Sequence, residues 1–432
     1  MLDILKLISL AFIFLLSNLD ANIQIIKKEN KDSNRTLLVI AGIHGNEPGS
    51  YFAASLLSSH YEINSHNLWI VPNLNKESIL ANKRAVHGDM NRKFSVIHKN
   101  DKDINIIKDI KKIILAKNVS LVLNLHDGHG FYRKEFQGNI FNPNAWGQTC
   151  VIDQCKLNEN QAFGNLNEIA SIVKDKLNKK LIQEHHTFDV RNTKTKFDDE
   201  QMQLSLTYFA VTNNKPAFAI ESSKNLSSLS QKIYYQLLAI EEFMKIMDIS
   251  YKRNFTLNEN SIAKILLNYG TLSINGRILL NLSDIKKSLS FIPIKSKSNE
   301  FDFSHPLGNT KKVNGDFLLF IGNRKIASIK PQYFQMSKIC PQKIKLELDG
   351  VITSIDKATD FFVNDDFKII KEKNIRVNVI GFTSKNTKDE SNLLITKSSL
   401  NKRFSLDKSN TQYRIELYKN NKFCSMSVVH FK

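Results

Sequence analysis

TLLVIAGIHGNEPG, residues 36–49, decides the fold. It opens on a short apolar, β-branched run and ends in a glycine-bracketed loop that carries His44 and Glu47. A continuous apolar run of this length reads as a parallel strand covered on both faces. Gly42, Gly45 and Gly49 suit a tight, ordered turn at its end rather than a helix. Two further runs have the same form. LVLNL at 121–125 leads into His126, and PAFAI at 216–220 leads into Glu221. A fourth, LWIVP at 68–72, has no candidate ligand after it. Helical patterns separate these runs, so the spacing predicts an α/β domain with a mixed, mostly parallel sheet flanked by helices. In open α/β sheets the functional crevice lies outside the carboxyl ends of the strands. His44, Glu47, His126 and Glu221 are therefore expected to meet there.

Two imidazoles and a carboxylate form a metal-ligand set, and a second carboxylate is left to handle protons. That is how a zinc hydrolase is built, with one coordination position open to water. H-x-x-E alone recurs by chance; the joint pattern is what carries weight. A second cluster lies in ANKRAVHGDMNRKF, residues 81–94, where Arg84 precedes the pair Asn91-Arg92. An enzyme that insists on a chain end must bind a carboxylate, which Arg does bidentately. A further Arg beside the metal suits a developing oxyanion. On spacing alone the cluster reads as a solvated basic loop in a Lys-rich chain.

Taken together these residues resemble the M14 zinc carboxypeptidase family, over roughly residues 36 to 225. The family motif is H-x-x-E, an Arg, Asn-Arg in a D-x-N-R-x-F setting, a His and a distant Glu. Here it reads His44 to Glu47, Arg84, Asp89-Met90-Asn91-Arg92-Lys93-Phe94, His126 and Glu221. The resemblance implies that His44, Glu47 and His126 bind Zn2+. It implies that Glu221 is the general base and then the acid for the leaving amine, and that Arg84 steadies the oxyanion. Asn91 and Arg92 would grip the substrate's terminal carboxylate. Tyr208 stands only 13 residues before Glu221, so the family's substrate-covering Tyr is not assigned to it. Trp146 suits either the pocket wall or the core.

The whole chain is similar to the peptidoglycan carboxypeptidases that set helical cell shape in Campylobacter and Helicobacter. That similarity implies trimming of muropeptide tetrapeptides to tripeptides by removal of the terminal D-alanine after meso-diaminopimelate. Two other functions stay open on the sequence: an M14-like acylamino-acid amide hydrolase, and a non-catalytic cell-wall binding protein.

Leu7 to Leu16 is apolar apart from Ser9, too short to span a bilayer but right for a signal-peptide core. The expected signal peptide is 1–21, with a periplasmic mature protein; an uncleaved anchor is the lesser alternative. Formal net charge is +19, and removing 1–21, which holds one Lys and two acids, leaves +20. Such a charge attracts anionic partners. Carboxylate-rich wall peptides suit it better than nucleic acid, for which no reader motif is present. Abundant Lys throughout the chain gives the same charge without any binding patch. Four cysteines make no disulfide framework. Cys150 and Cys155 are near enough to bridge if their loop folds back, whereas Cys340 and Cys424 are far apart in sequence.

The catalytic part, 22–250, should close with an amphipathic helix at about 226–249. Beyond it the hydrophobic period changes to two, as in Ile344-x-Leu346-x-Leu348. Asn275-Gly276 and Asn314-Gly315 are hairpin signals. Two small all-β domains are expected, 251–341 and 342–432, whose role stays open between binding the cell wall or a protein partner and shielding the active-site rim. His185-His186 reads as surface rather than a second metal site, and His129 as a neighbour of His126 rather than a ligand.

Overall fold

In the computed structural model, residues 23–31, 33–158, 160–384 and 387–432 are described. The expected signal peptide, 1–21, lies outside them. The catalytic half is built on β1 (Ile26–Lys28), β2 (Thr36–Ile40), β3 (Asn67–Val71), β4 (Val119–Gly128), β5 (Thr149–Ile152), β6 (Asp189–Asn192) and β7 (Ala217–Ser223). They form one sheet in the order β1-β3-β2-β4-β7-β5-β6. The four middle strands, β3, β2, β4 and β7, are parallel. β1 pairs antiparallel to β3, and β5 antiparallel to β7. Every residue of β2 and β3 is buried, as a central parallel strand requires.

Helices α1 (Pro48–His60), α2 (Ile104–Ile114), α3 (Leu166–Leu177), α4 (Leu206–Thr212) and α5 (Leu229–Ile246) accompany the sheet. Pro48 occupies the first turn of α1, where a missing N–H costs nothing. Residues 49–58 of α1 are all buried, because α1 lies against α5 as well as the sheet. α5 is the expected closing helix, shortened at both ends. Among the described residues no helix is long and apolar enough to cross a membrane.

The C-terminal half is β-rich as expected, and its two parts are interlocked. One sheet runs through 301–303, 271–274, 278–281, 422–431, 412–419 and 375–379. It joins strands from both sides of residue 341 through the pairing of Ile278 with Met426. Met426, Val428, Tyr418 and Phe423 accordingly pack into the large core shared with the catalytic half, while Ile415, Leu417 and Val429 belong to a separate C-terminal core. Both expected hairpins are present. Asn275-Gly276 and Asn314-Gly315 have positive φ at both residues, the conformation of a two-residue type I′ turn.

The cysteine expectation is corrected. Cys340 and Cys424 are disulfide-bonded across 84 residues, joining the interlocked segments. Cys150 and Cys155 are free thiols. Cys150 is buried within β5 and Cys155 is exposed beyond its end, so the extended strand holds them apart.

Candidate active site

Strand β2 ends at Ile40, and the chain then turns through residues 41–47 into α1. Gly42 has φ +72°, and a side chain at Gly45 would place its Cβ 1.9 Å from the Ser78 carbonyl oxygen. Only glycine fits both positions, and the turn they allow brings His44 and Glu47 over the sheet. Glu47 sits at the N-cap of α1, but its carboxylate does not cap the helix. It faces two histidines instead. His44 Nδ1 is 3.0 Å from Oε1, and His126 Nδ1 is 2.8 Å from Oε2. His126 lies on β4 in register with Glu221 on β7. The four residues named from the ends of β2, β4 and β7 therefore meet, as expected.

His44, Glu47 and His126 are all buried, and one donor atom from each lies within 4.8 Å of the others. Among the described residues this is the one group of His, Cys, Asp and Glu placed to share an ion. The donor set fits zinc: two imidazole nitrogens and a carboxylate converge on one point. His44 Nε2 is 2.9 Å from Asp89 Oδ1, which leaves Nδ1 for the metal. Gln236 Nε2 donates to the His126 carbonyl at 2.6 Å.

Charge is concentrated here. Burial opposes a charge on His44, but the carboxylates of Glu47 and Asp89 outweigh it and raise its pKa to about 9. Burial likewise opposes ionisation of Glu47, yet His44 and His126 hold its carboxyl well below the usual range. Glu221 has no cation so close. Burial, then the negative charges of Glu47 and Asp127, push its carboxyl well above the usual range. A bound cation lowers such a group again. A half-buried carboxylate with its proton affinity raised by its surroundings is what proton transfer near neutral pH needs.

The basic cluster folds onto the same cavity, of about 240 Å3. Arg84 donates through Nε to Asp89 Oδ2 at 3.0 Å, and its Nη1 is 3.5 Å from Glu47 Oε1. Asn91 and Arg92 form a short 3-10 turn capped by Asp89. Asn91 Oδ1 accepts from the Leu206 amide at 3.0 Å, so the Asn91 carboxamide nitrogen is left for a ligand. Arg92 and Trp146 line the cavity too, with the Arg191 guanidinium 3.8 Å over the Trp146 ring. Tyr208 does not line it; it lies on α4, partly buried against the core.

Several residues around the site were not singled out by sequence. Asp89 stands inside the quoted D-M-N-R segment, but its grip on His44 needs the fold. Asp127 follows His126 directly. It accepts from the Gly49 amide at 2.7 Å and from Ser222 Oγ at 2.6 Å, tying the first turn of α1 to the ends of β4 and β7. Lys224, three residues past Glu221, comes within 3.5 Å of Glu47 Oε1. His129 is exposed at the cavity rim and gives backbone contacts to Trp146 and Gly147. His186 is buried against Phe131 and Tyr235, and His185 packs edge-on to it. Neither joins a metal group.

The comparisons with known proteins give the family. Residues 1–268 match the model of the family described as "carboxypeptidase controlling helical cell shape, catalytic", and 337–432 match that of the "C-terminal domain of metallo-carboxypeptidase". The chain is similar to apo cell shape determinant protein Csd4 from Helicobacter pylori, with 32% identity and TM-score 0.89, over 95% of this chain and all of that one. It is similar to the mDAP-bound form of Helicobacter pylori Csd4, a D,L-carboxypeptidase, at 33% identity and TM-score 0.90, over 94% of this chain and all of that one. The tripeptide-bound Csd4 matches at 32% identity and TM-score 0.89, over 95% and 100% of the two chains. A search of curated protein sequences returns no match. The chain belongs to the family of zinc-dependent carboxypeptidases that control helical cell shape.

Proposed function

We propose that this carboxypeptidase removes the terminal D-alanine from uncrosslinked peptidoglycan tetrapeptides, cleaving the bond after meso-diaminopimelate and leaving a tripeptide. The observation that carries it is the meeting of two groups in one cavity: the His44–Glu47–His126 donor set beside Glu221, and the Arg92–Asn91 pair. The first can hydrolyse an amide; the second selects a chain end. The D,L-carboxypeptidase activity of the Helicobacter pylori relative, and its capture with mDAP and with a tripeptide, support the choice of substrate.

Zinc, when bound by His44, Glu47 and His126, supplies a Lewis acid for water and for the scissile carbonyl. The chain's own residues do the rest. Glu221 takes a proton from the attacking water and returns it to the leaving amine. Arg84 lies close enough to Glu47 to donate to the carbonyl oxygen as negative charge builds on it. Arg92 and the Asn91 carboxamide nitrogen hold the terminal carboxylate, which fixes the last peptide bond over the donor set.

The apolar run Leu7–Leu16 and the Cys340–Cys424 disulfide support a periplasmic site of action, because disulfides persist in oxidising compartments. The interlocked β half suits a wall or protein partner. Mass analysis of disaccharide tetrapeptide treated with zinc-loaded protein tests the reading. Loss of one alanine is the expected result. No loss from tetrapeptide, with hydrolysis of small N-acylated amino acids, would replace it with the amide-hydrolase reading.

A further inference from the structure

The cavity continues past the metal donors down the face of β4. Asn124 and His126 are two residues apart on this strand, so their side chains share a face, with Asn124 roughly 7 Å further along it. Asn124 is 1% exposed, and it lines the cavity. Neither its Oδ1 nor its Nδ2 has a hydrogen-bond partner among the described residues. The adjoining strands offer none: its register neighbours are Ile40 on β2 and Ala219 on β7. Buried carboxamides are almost always paired, so one left open beside a cavity waits for something that enters it. Val151 and Met202 make the remaining floor apolar, and Thr207 adds a hydroxyl to the cavity.

We propose that Asn124 is a specificity-determining residue that gives the pocket for the released residue a polar floor. The inference rests on the carboxypeptidase reading, with the released residue held by Arg92 and Asn91 in this same cavity. A methyl side chain leaves space above Asn124 for water that satisfies its carboxamide. A hydroxymethyl side chain can hydrogen-bond to that water or to the carboxamide itself. A larger apolar side chain expels the water and leaves both amide atoms buried without partners. Such an unpaired group is worth roughly 5- to 150-fold in kcat/KM against the offending substrate. The pocket thus selects small terminal residues by polarity as well as by size.

The test uses three peptides that differ only in the terminal residue: D-alanine, D-serine or D-2-aminobutyrate. The last two are nearly equal in size and differ in polarity. The zinc-loaded wild type is compared with Asn124→Leu, which keeps the shape and removes the polarity. Asn124→Ala serves as the second variant, with zinc content measured for each. The expected result is a D-serine to D-2-aminobutyrate ratio in kcat/KM of about tenfold or more for the wild type, collapsing toward one in both variants. An absolute rise for D-2-aminobutyrate in a variant is expected as well, which a folding defect cannot produce. A wild-type ratio near one, or an unchanged ratio in the variants, would overturn the role of Asn124. No release from any of the three by the wild type would overturn the carboxypeptidase reading beneath it.

Discussion

Replacing Asp89 with Ala separates the two tasks of the site. Asp89 is the outer partner of His44, a candidate metal ligand: its Oδ1 is 2.9 Å from His44 Nε2, and its Oδ2 accepts from Arg84 Nε at 3.0 Å. Loss of such a partner costs 10- to 100-fold in metal affinity, or about 1.4–2.7 kcal/mol. The upper part of this range is expected, because the His44 ring is only 2% exposed and little solvent can replace the carboxylate. The tether to Arg84 is worth less. Arg84 has about half its side chain in solvent, where an ion pair contributes roughly 0–1 kcal/mol. Asp89→Ala should therefore raise the zinc dissociation constant about 30- to 100-fold, yet lower kcat at saturating zinc by less than about tenfold. Competition with a zinc chelator measures the first and steady-state kinetics in excess zinc the second. Arg84→Ala should give the opposite split, with zinc affinity kept and kcat down roughly 100- to 1,000-fold. Zinc affinity within threefold of wild type in Asp89→Ala would refute the reasoning.

Gly45→Ala is expected to lose zinc along with stability, since its Cβ would stand 1.9 Å from the Ser78 carbonyl oxygen and the His44 turn must move. Bound zinc per chain and the thermal midpoint check it, and a variant equal to wild type in both would contradict it. The Cys340→Ser, Cys424→Ser pair should destabilise the β half by roughly 4–5 kcal/mol, the loop-closure term for an 84-residue separation. Unfolding with and without reductant should coincide in that variant and differ in the wild type. His186 and His305 are each lowered to about 4, chiefly by burial. The His305 Nδ1 accepts from the Leu307 amide at 3.1 Å, which needs the neutral ring. The unfolded chain thus binds more protons than the folded one between pH 4 and the ordinary histidine pKa of about 6.5. The contribution of these two residues is complete above about pH 6.5 and fades as pH falls toward 4, while His44 and Glu221, whose proton affinities are raised, gain in the same direction. The shift in urea midpoint between pH 7.5 and 5 should therefore be less unfavourable in a His186→Phe, His305→Phe variant than in the wild type, and an identical shift in the two proteins would contradict it.

The residues most legible in the sequence are those that stand just past buried strands. His44, Glu47, His126 and Glu221 were readable because a parallel sheet gathers its strand ends, and apolar runs mark those ends. The helix after Glu221 and both Asn-Gly hairpins were readable because their signals are local. What failed to show was non-local. The Cys340–Cys424 bond and the Ile278–Met426 pairing join segments more than 80 residues apart, and no spacing rule reaches that far. Cys150 and Cys155 looked close only because a buried extended strand was not foreseen between them. Asp89 stands within the D-x-N-R-x-F motif, yet its contact with His44 depends on where the loop lands. Asn124 left one trace, a single polar residue inside the apolar run LVLNL, and its meaning came only with the cavity beside it.

The measurement that tests the central claim most directly pairs the zinc-loaded wild type with Glu221→Gln, following bound zinc per chain and release of the terminal residue from tetrapeptide. One zinc in each protein, turnover in the wild type and a loss of at least about 1,000-fold in the variant are the predicted results. Turnover retained by Glu221→Gln, or zinc held equally well after His44 and His126 are both replaced with Ala, would contradict the assignment of this site.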